Sequence, residues 1–179
     1  MINFNFIGQL EGNRLNGYVP EPDGGHVESG VTIGAGFDLG QRNSDELPPL
    51  LVDKLAMYCG VTGHDAIALL KDDPLTVTES ECEIINAYAH ESAVKALKRD
   101  WSKATPQLFE SLLPEAQTVI ASVAFQYGSL AKRCPMFWDQ AITNNWSSMC
   151  KNLYDFGDNY TTRRRKERDK LISGLERAK

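Results

Sequence analysis

A chain of 179 residues with 42% hydrophobic content can bury a full core, and no apolar run approaches the length of a membrane-spanning helix. The net charge of −5 disfavours bulk binding to nucleic acid. That charge is uneven: residues 1–90 hold 14 Asp/Glu against 4 Lys/Arg, and residues 151–179 hold 9 Lys/Arg against 5 Asp/Glu. The acidic front and basic tail read either as two solvated faces or as attraction between two lobes across a cleft.

In chain order, Ile2, Phe6 and Leu10 recur every four residues beside Ile7 and predict a short amphipathic helix. It stops near Glu11-Gly12-Asn13, with Gly12 or Asn13 as the terminator. From Asn16 to Leu39 the chain is rich in Gly, Pro, Asp and Asn. Strand-like pieces around Gly17–Val19 and within Gly30–Leu39 predict a small twisted antiparallel sheet. From Leu47 the pattern turns helical, first over a proline-led segment ending at Gly60, then over residues 63–73. Thr78 and Glu81 form a capping box ahead of a run with no Gly or Pro to Trp101, which predicts one helix of more than five turns. Thr105-Pro106 is expected to cap the next helix. The segment Pro114–Gly128 is apolar on nearly all sides and predicts the central buried helix of a bundle. Shorter helices are expected near Phe137–Thr143 and Trp146–Phe156, and a last one from Thr162 to about Ser173 with Gly174 as its cap. The expected architecture is α+β, one domain over 1–179. A front lobe, 1–75, carries the sheet; 76–179 holds the connecting helix and a mainly helical back lobe.

Three side chains stand out for chemistry. Glu11 sits at a helix C-terminus, where the dipole disfavours negative charge; a carboxylic acid that keeps its proton is what a general acid needs. Thr32 and Asp38 lie six residues apart in "SGVTIGAGFDLG". Equal parity puts them on one face of a strand unless the glycines insert a bulge, and a carboxylate beside a hydroxyl can hold a water. The glycines themselves fit either a twisted hairpin or a surface that a ligand approaches closely. Cys59, Cys82, Cys134 and Cys150, with His26, His64 and His90, show no zinc spacing; two disulfides or four thiols are both compatible with the sequence. Cys82 and His90 are eight apart on one helix and are read as pointing to different faces, against a Cys–His peptidase.

A helix-terminal Glu followed by a Gly-rich sheet with T-I-G-x-G and a helical lobe resembles the phage-type lysozymes. The resemblance continues through "VAFQYG", "NNWSSMCKNLYDF" and "YTTRRRKERDKLISG". In phage lysozymes the second carboxylate lies between the Glu and the Thr; here Glu21, Asp23 and Glu28 occupy that interval without the usual spacing, and Asp38 follows Thr32. The Glu-Thr-Asp order is similar to the lysozyme domain of pesticin and related bacterial toxins and endolysins. The resemblance implies a muramidase that cleaves the β-1,4 bond between N-acetylmuramic acid and N-acetylglucosamine. It implies Glu11 as general acid, Asp38 as second carboxylate with Asp23 as runner-up, and Thr32 positioning water. Gln126 and Tyr127 are expected to bind glycan, and Arg165, or less so Arg168, to support the site. No metal or organic cofactor is expected. The expected partner is peptidoglycan, together with an immunity or inhibitor protein, on a monomer that neither binds nucleic acid nor enters a membrane. Action in the periplasm or wall of a target bacterium is expected. The N-terminus has no signal-peptide pattern, so delivery is expected to come from another domain, a holin or a secretion system. The alternative is a non-catalytic glycan-binding module of the same fold.

Overall fold

The computed structural model describes residues 1–20 and 28–178. It is α+β: a three-stranded antiparallel sheet near the N-terminus and a mainly helical remainder. In chain order come α1 (Phe4–Glu11), β1 (Arg14–Tyr18), β2 (Thr32–Gly34) and β3 (Phe37–Asp38), then α2 (Val52–Leu55) between two short 3₁₀ turns, and α3 (Gly63–Asp72). The long α4 (Glu79–Ala104) and buried α5 (Pro114–Tyr127) follow, then α6 (Leu130–Arg133), α7 (Pro135–Ile142), α8 (Trp146–Tyr154) and α9 (Thr161–Arg177). The chain divides into two compact units, Glu11–His90 and Met1–Leu10 with Glu91–Lys179, a different division from the expected lobes at 75/76.

The Glu11–His90 unit is built on the sheet, in the order β1-β2-β3. Val31, Ile33, Phe37 and Leu39 alternate along the hairpin and are all buried, packed with Leu47, Leu55, Tyr58, Leu75 and Ile85. The first twelve residues of α4 belong to this unit. The capping box is formed: Thr78 Oγ1 accepts from the Glu81 N–H at 3.2 Å, and Glu81 Oε2 accepts from the Thr78 N–H at 2.7 Å.

The helical unit is centred on α5, where every residue from Ala116 to Ala124 is buried. Pro114 begins this helix, where its missing N–H removes no helical bond. The polar residues inside this stretch are satisfied: Gln117 Nε2 donates to the Leu112 carbonyl at 2.8 Å and Thr118 Oγ1 to the Pro114 carbonyl at 2.7 Å. Trp101 meets Trp138 edge-to-face with centroids 5.6 Å apart. Against expectation, Thr105-Pro106 caps no α-helix; Phe109–Ser111 form a single 3₁₀ turn before α5. Gly174 is not a cap either. It lies inside α9, and a Cβ there would fall 2.6 Å from Glu115 Oε2, so glycine serves the close approach of α9 to the start of α5.

A charged network is enclosed in this unit. Glu167 is fully buried and Arg164 is 1% exposed. Arg164 donates to Glu167, to Asp158 Oδ2 at 2.8 Å and to Gln126 Oε1. Burial alone would push the Asp158 carboxyl up, but bonds from Tyr127, the Tyr160 N–H and Arg164 outweigh it and hold it below the ordinary carboxylate value. A group depressed in the folded state contributes stability in full above its unfolded value and loses it as pH falls through the folded one.

Asp158→Asn is therefore expected to cost about 1.5–3 kcal/mol near neutral pH and to flatten the loss of stability on acidification below the ordinary carboxylate range, as read from urea unfolding at a series of pH values. Gly174→Ala is expected to cost about 1–3 kcal/mol through overpacking against Glu115. An unchanged urea midpoint would show that α9 can shift away at no cost.

Candidate active site

Alternation along the hairpin decides which residues leave the core. With Val31, Ile33, Phe37 and Leu39 turned into it, Thr32 and Asp38 project from the opposite face. Antiparallel pairing sets Thr32 directly opposite Asp38, and Tyr18 of β1 directly opposite Thr32. The parity expectation thus holds, because the turn at Gly34–Gly36 closes the hairpin without shifting this pair. Gly34 and Gly36 have φ of +63° and +99°, values that favour glycine.

The Asp38 carboxylate is fixed by backbone. Its Oδ1 accepts from the Gly40 N–H at 2.9 Å and the Gly30 N–H at 3.1 Å. Both donors are glycines because their backbones nearly touch: a Cβ on Gly30 would lie 2.4 Å from Gly40 Cα, and one on Gly40 2.6 Å from Gly30 Cα. Thr32, 3% exposed, donates its hydroxyl hydrogen to the Gly30 carbonyl at 3.2 Å. That leaves the Thr32 oxygen as an acceptor on the same face as Asp38.

Glu11 is the last residue of α1, and Gly12, at φ +71°, ends the helix in the left-handed conformation. The Glu11 side chain is 8% exposed, and its Oε2 lies 3.1 Å from His90 Nε2. One turn earlier on α4, Asn86 ties two segments together. Its Oδ1 accepts from the Ala35 N–H at 2.9 Å in the hairpin turn, and its Nδ2 donates to Asn13 Oδ1 at 2.8 Å. Cys82, a further turn back, approaches Asn86 Nδ2 through its sulfur at 3.7 Å. Cys82, Asn86 and His90 therefore form one row, a correction to the reading that placed Cys82 and His90 on different faces. They remain about 12 Å apart along the axis. Burial chiefly pushes the Cys82 thiol up, with Asn86 opposing it. The arrangement is not a Cys–His nucleophile.

The other expected site residues lie in the helical unit. Gln126 Oε1 accepts from Arg164, and the Tyr127 hydroxyl donates to Asp158 Oδ2 at 2.7 Å. Both side chains thus have partners in the buried network. Arg165 is exposed, with its guanidinium 5.8 Å from the centre of the Tyr154 ring. Arg168 sits 5.1 Å from the same ring and pairs with Asp169 at 2.7 Å. The buried arginine of the triplet is Arg164. Asp23, the runner-up carboxylate, lies outside the described residues, as do Glu21 and His26. Glu28 is exposed. Asn86 and His90 had no part in the sequence-based site; their spacing of four on the face of α4 that carries Cys82 is the signal that points to them.

All four cysteines are free, and burial pushes each thiol up. Among the described residues no three His, Cys, Asp or Glu side chains converge to hold a metal ion, and no helix is long and apolar enough to cross a membrane.

The family model Pesticin, described as a bacterial toxin homologue of phage lysozyme, C-terminal, matches residues 1–147. The matched region includes Glu11, Thr32, Asp38, Asn86, His90, Gln126 and Tyr127; α9 lies beyond it. No curated protein matches the chain.

Two glycine substitutions separate packing from backbone conformation. Gly36→Ala, in open space with φ +99°, is expected to cost about 1–2 kcal/mol from its backbone alone. Gly40→Ala meets backbone at 2.6 Å on two sides and is expected to cost at least about 3 kcal/mol. Equal costs in urea unfolding would mean that the Gly30–Gly40 approach is not tight.

Proposed function

Since the chain belongs to the pesticin family of bacterial toxin homologues of phage lysozyme, we propose that it is a muramidase that cleaves the β-1,4 bond between N-acetylmuramic acid and N-acetylglucosamine in peptidoglycan. Membership places it among proteins with a glycoside hydrolase type of activity directed at peptidoglycan; the bond and the residue roles are our reading. The observation that carries it is the Thr32–Asp38 cross-strand pair on the non-core face of the sheet, with Asp38 Oδ1 held by two backbone amides.

Glu11 is the general acid. It passes its proton to the glycosidic oxygen as the bond to the sugar C1 breaks, and the bonding electron pair leaves with that oxygen. Asp38 supplies the second carboxylate. Its Oδ1 is engaged by Gly30 and Gly40, so Oδ2 faces the reaction. The Thr32 hydroxyl hydrogen points to the Gly30 carbonyl, so its oxygen accepts from a water and turns that water's other hydrogen towards Asp38. Asp38 then either takes the proton as the water attacks C1 or stabilises the positive charge developing on the sugar ring. The two roles differ in stereochemistry. Attack by a water on the opposite face gives the α-anomer of muramic acid first, whereas a glycosyl-enzyme route gives the β-anomer.

Gln126 and Tyr127 are proposed as glycan contacts and Arg165 as a supporting residue, resting on the resemblance of their sequence segments. The relation to a bacterial toxin supports action on the wall of a target bacterium, with delivery by other components and a cognate inhibitor protein as partner.

The test is digestion of purified peptidoglycan, with mass analysis of soluble fragments and proton NMR of the first-formed anomer. Disaccharide-peptides ending in reducing muramic acid are expected from the wild type. Glu11→Gln and Asp38→Asn are expected to lower kcat by about 10²–10⁴-fold and Thr32→Val by about 10²-fold, with thermal midpoints within a few degrees of wild type. Full activity in Glu11→Gln would sink the assignment, and a folded wild type that releases nothing would sink the muramidase reading itself.

A further inference from the structure

The sheet face that carries Thr32 and Asp38 extends onto β1. A Cβ on Gly17 would meet Leu75, Leu70 and Val31 at 3.0–3.2 Å, so Gly17 faces the core and its neighbour Tyr18 faces away from it. Tyr18 stands opposite Thr32, and Thr32 opposite Asp38, which makes one row across three strands on a single face. Arg14, the first residue of β1, joins that face, with its guanidinium 4.1 Å from the centre of the Tyr18 ring. It is exposed, and among the described residues it pairs with no carboxylate. The surroundings are acidic: residues 1–90 hold 14 Asp/Glu and four cations, Arg14, Arg42, Lys54 and Lys71. Lys54 is engaged by Glu81 at 2.7 Å, Arg42 lies 4.0 Å from the centre of the buried Phe37 ring, and Lys71 is exposed in the last turn of α3. Of the four, Arg14 is the one that the sheet places on the face of Thr32 and Asp38.

We infer that Arg14, laid on the Tyr18 ring, is a specificity-determining residue: its guanidinium takes a carboxylate borne by the glycan, so the site selects acidic wall glycan over neutral β-1,4-linked chains of N-acetylglucosamine. The inference rests on the reading of the Thr32–Asp38 face as a site for peptidoglycan. Its chemistry is that of a planar cation. Stacking on an aromatic ring uses the face of the guanidinium and leaves its N–H donors in the plane, directed outward. Those donors match the two oxygens of a carboxylate. Stacking also limits the rotamers of a long side chain, so less freedom is lost when a ligand binds. In wall glycan each N-acetylmuramic acid carries its carboxylate on the substituent at O3, as the free lactyl acid or as the acids of an attached peptide. A chain of N-acetylglucosamine alone has none. Arg14 pairs with Gly34 of β2, two residues beyond Thr32, a displacement of about 7 Å along the strand. A contact set apart from the reacting bond acts alike on bound substrate and transition state, and so changes KM rather than kcat. In a unit whose charges are mostly negative, it also offsets the repulsion of an anionic polymer.

The experiment uses the full chain carrying Glu11→Gln, so that the polymer survives, and reads affinity by co-sedimentation with purified peptidoglycan. Adding Arg14→Gln is expected to weaken binding about three- to tenfold. Peptidoglycan with its carboxyl groups capped as methylamides is expected to lose the same factor against the Glu11→Gln chain, and to lose nothing further against the chain that also carries Arg14→Gln. Lys71→Gln removes the same charge from α3 and is expected to leave affinity within about twofold. In the otherwise wild-type chain, Arg14→Gln is expected to raise KM by about the same three- to tenfold, with kcat within about twofold. Soluble glycan strands stripped of peptide carry the lactyl acid alone. Competition by them that is lost in Arg14→Gln names the lactyl group as the ligand, and absence of competition names the peptide acids; both outcomes support the inference. Equal binding of capped and uncapped peptidoglycan, a preference kept in Arg14→Gln, or a Lys71→Gln loss as large as that of Arg14→Gln would each overturn it. A wild type that binds with this preference yet releases no fragments would remove the muramidase reading and leave carboxylate recognition by Arg14 standing.

Discussion

Gly30 and Gly40 approach so closely that neither has room for a methyl group: the gap to the other's Cα is 2.4–2.6 Å from where a Cβ would stand. Val61 closes the third side, its carbonyl 2.5 Å from the Gly30 position. The hairpin's ends are thereby drawn together, with the Leu39 N–H on the Val31 carbonyl at 2.9 Å and Gly30 bridged to Thr62. The same approach brings two backbone N–H groups within reach of one oxygen of Asp38. A side chain on a short strand would otherwise sample several rotamers; here the backbone holds it, and Thr32 opposite is held by the Gly30 carbonyl. The glycine density that makes the segment look like a poor strand is the condition for its rigidity.

The other half of the arrangement hangs from α4. Its first turn is capped by Thr78 and Glu81, and Glu81 also takes Lys54 at 2.7 Å, which anchors the helix to α2. Beyond that anchor, the row Cys82, Asn86, His90 meets in turn the hairpin glycine Gly34, the Asn13 corner and Glu11. A helix is a good ruler for this purpose, since successive contacts four residues apart rise about 6 Å each. In the helical unit the comparable device is polar and buried. Arg164, Glu167, Asp158, Tyr127 and Ser122 satisfy one another in a network. Such a network adds little net stability over a hydrophobic one, but removing Arg164, or a carboxylate paired with it, leaves a buried charge without its partner.

Helix content was legible where periodicity was strong. The α4 and α5 segments follow from the Thr78 capping box, the absence of Gly and Pro to Trp101, and the uniformly apolar stretch after Pro114. The sheet was legible from glycine and β-branched residues, and Thr32 and Asp38 share a face because their separation is even. What escaped was set by tertiary contact. Gly174 looks like a helix stop until Glu115 is seen packed against it. Thr105-Pro106 looks like a cap, but the next residues make only a 3₁₀ turn. The run Arg163-Arg164-Arg165 offers three cations with one sequence context. The buried stripe Arg164, Glu167, Leu171, Gly174, spaced by three and four, is what marks Arg164 as the buried one of the three. His90 and Asn86 escaped because nothing local links residue 90 to residue 11; the link is a hydrogen bond across 79 positions.

The four thiols carry one more consequence. None is paired, and burial disfavours the thiolate at each, including the half-buried Cys59 and Cys150. Disulfide exchange proceeds through the thiolate, so these sulfurs are poor partners for oxidants and for one another. The fold is held by packing, hydrogen bonds and ion pairs, with no disulfide among its four cysteines. A chain of this kind has no cross-link to form or to lose, so a change in redox conditions leaves its covalent structure as it was.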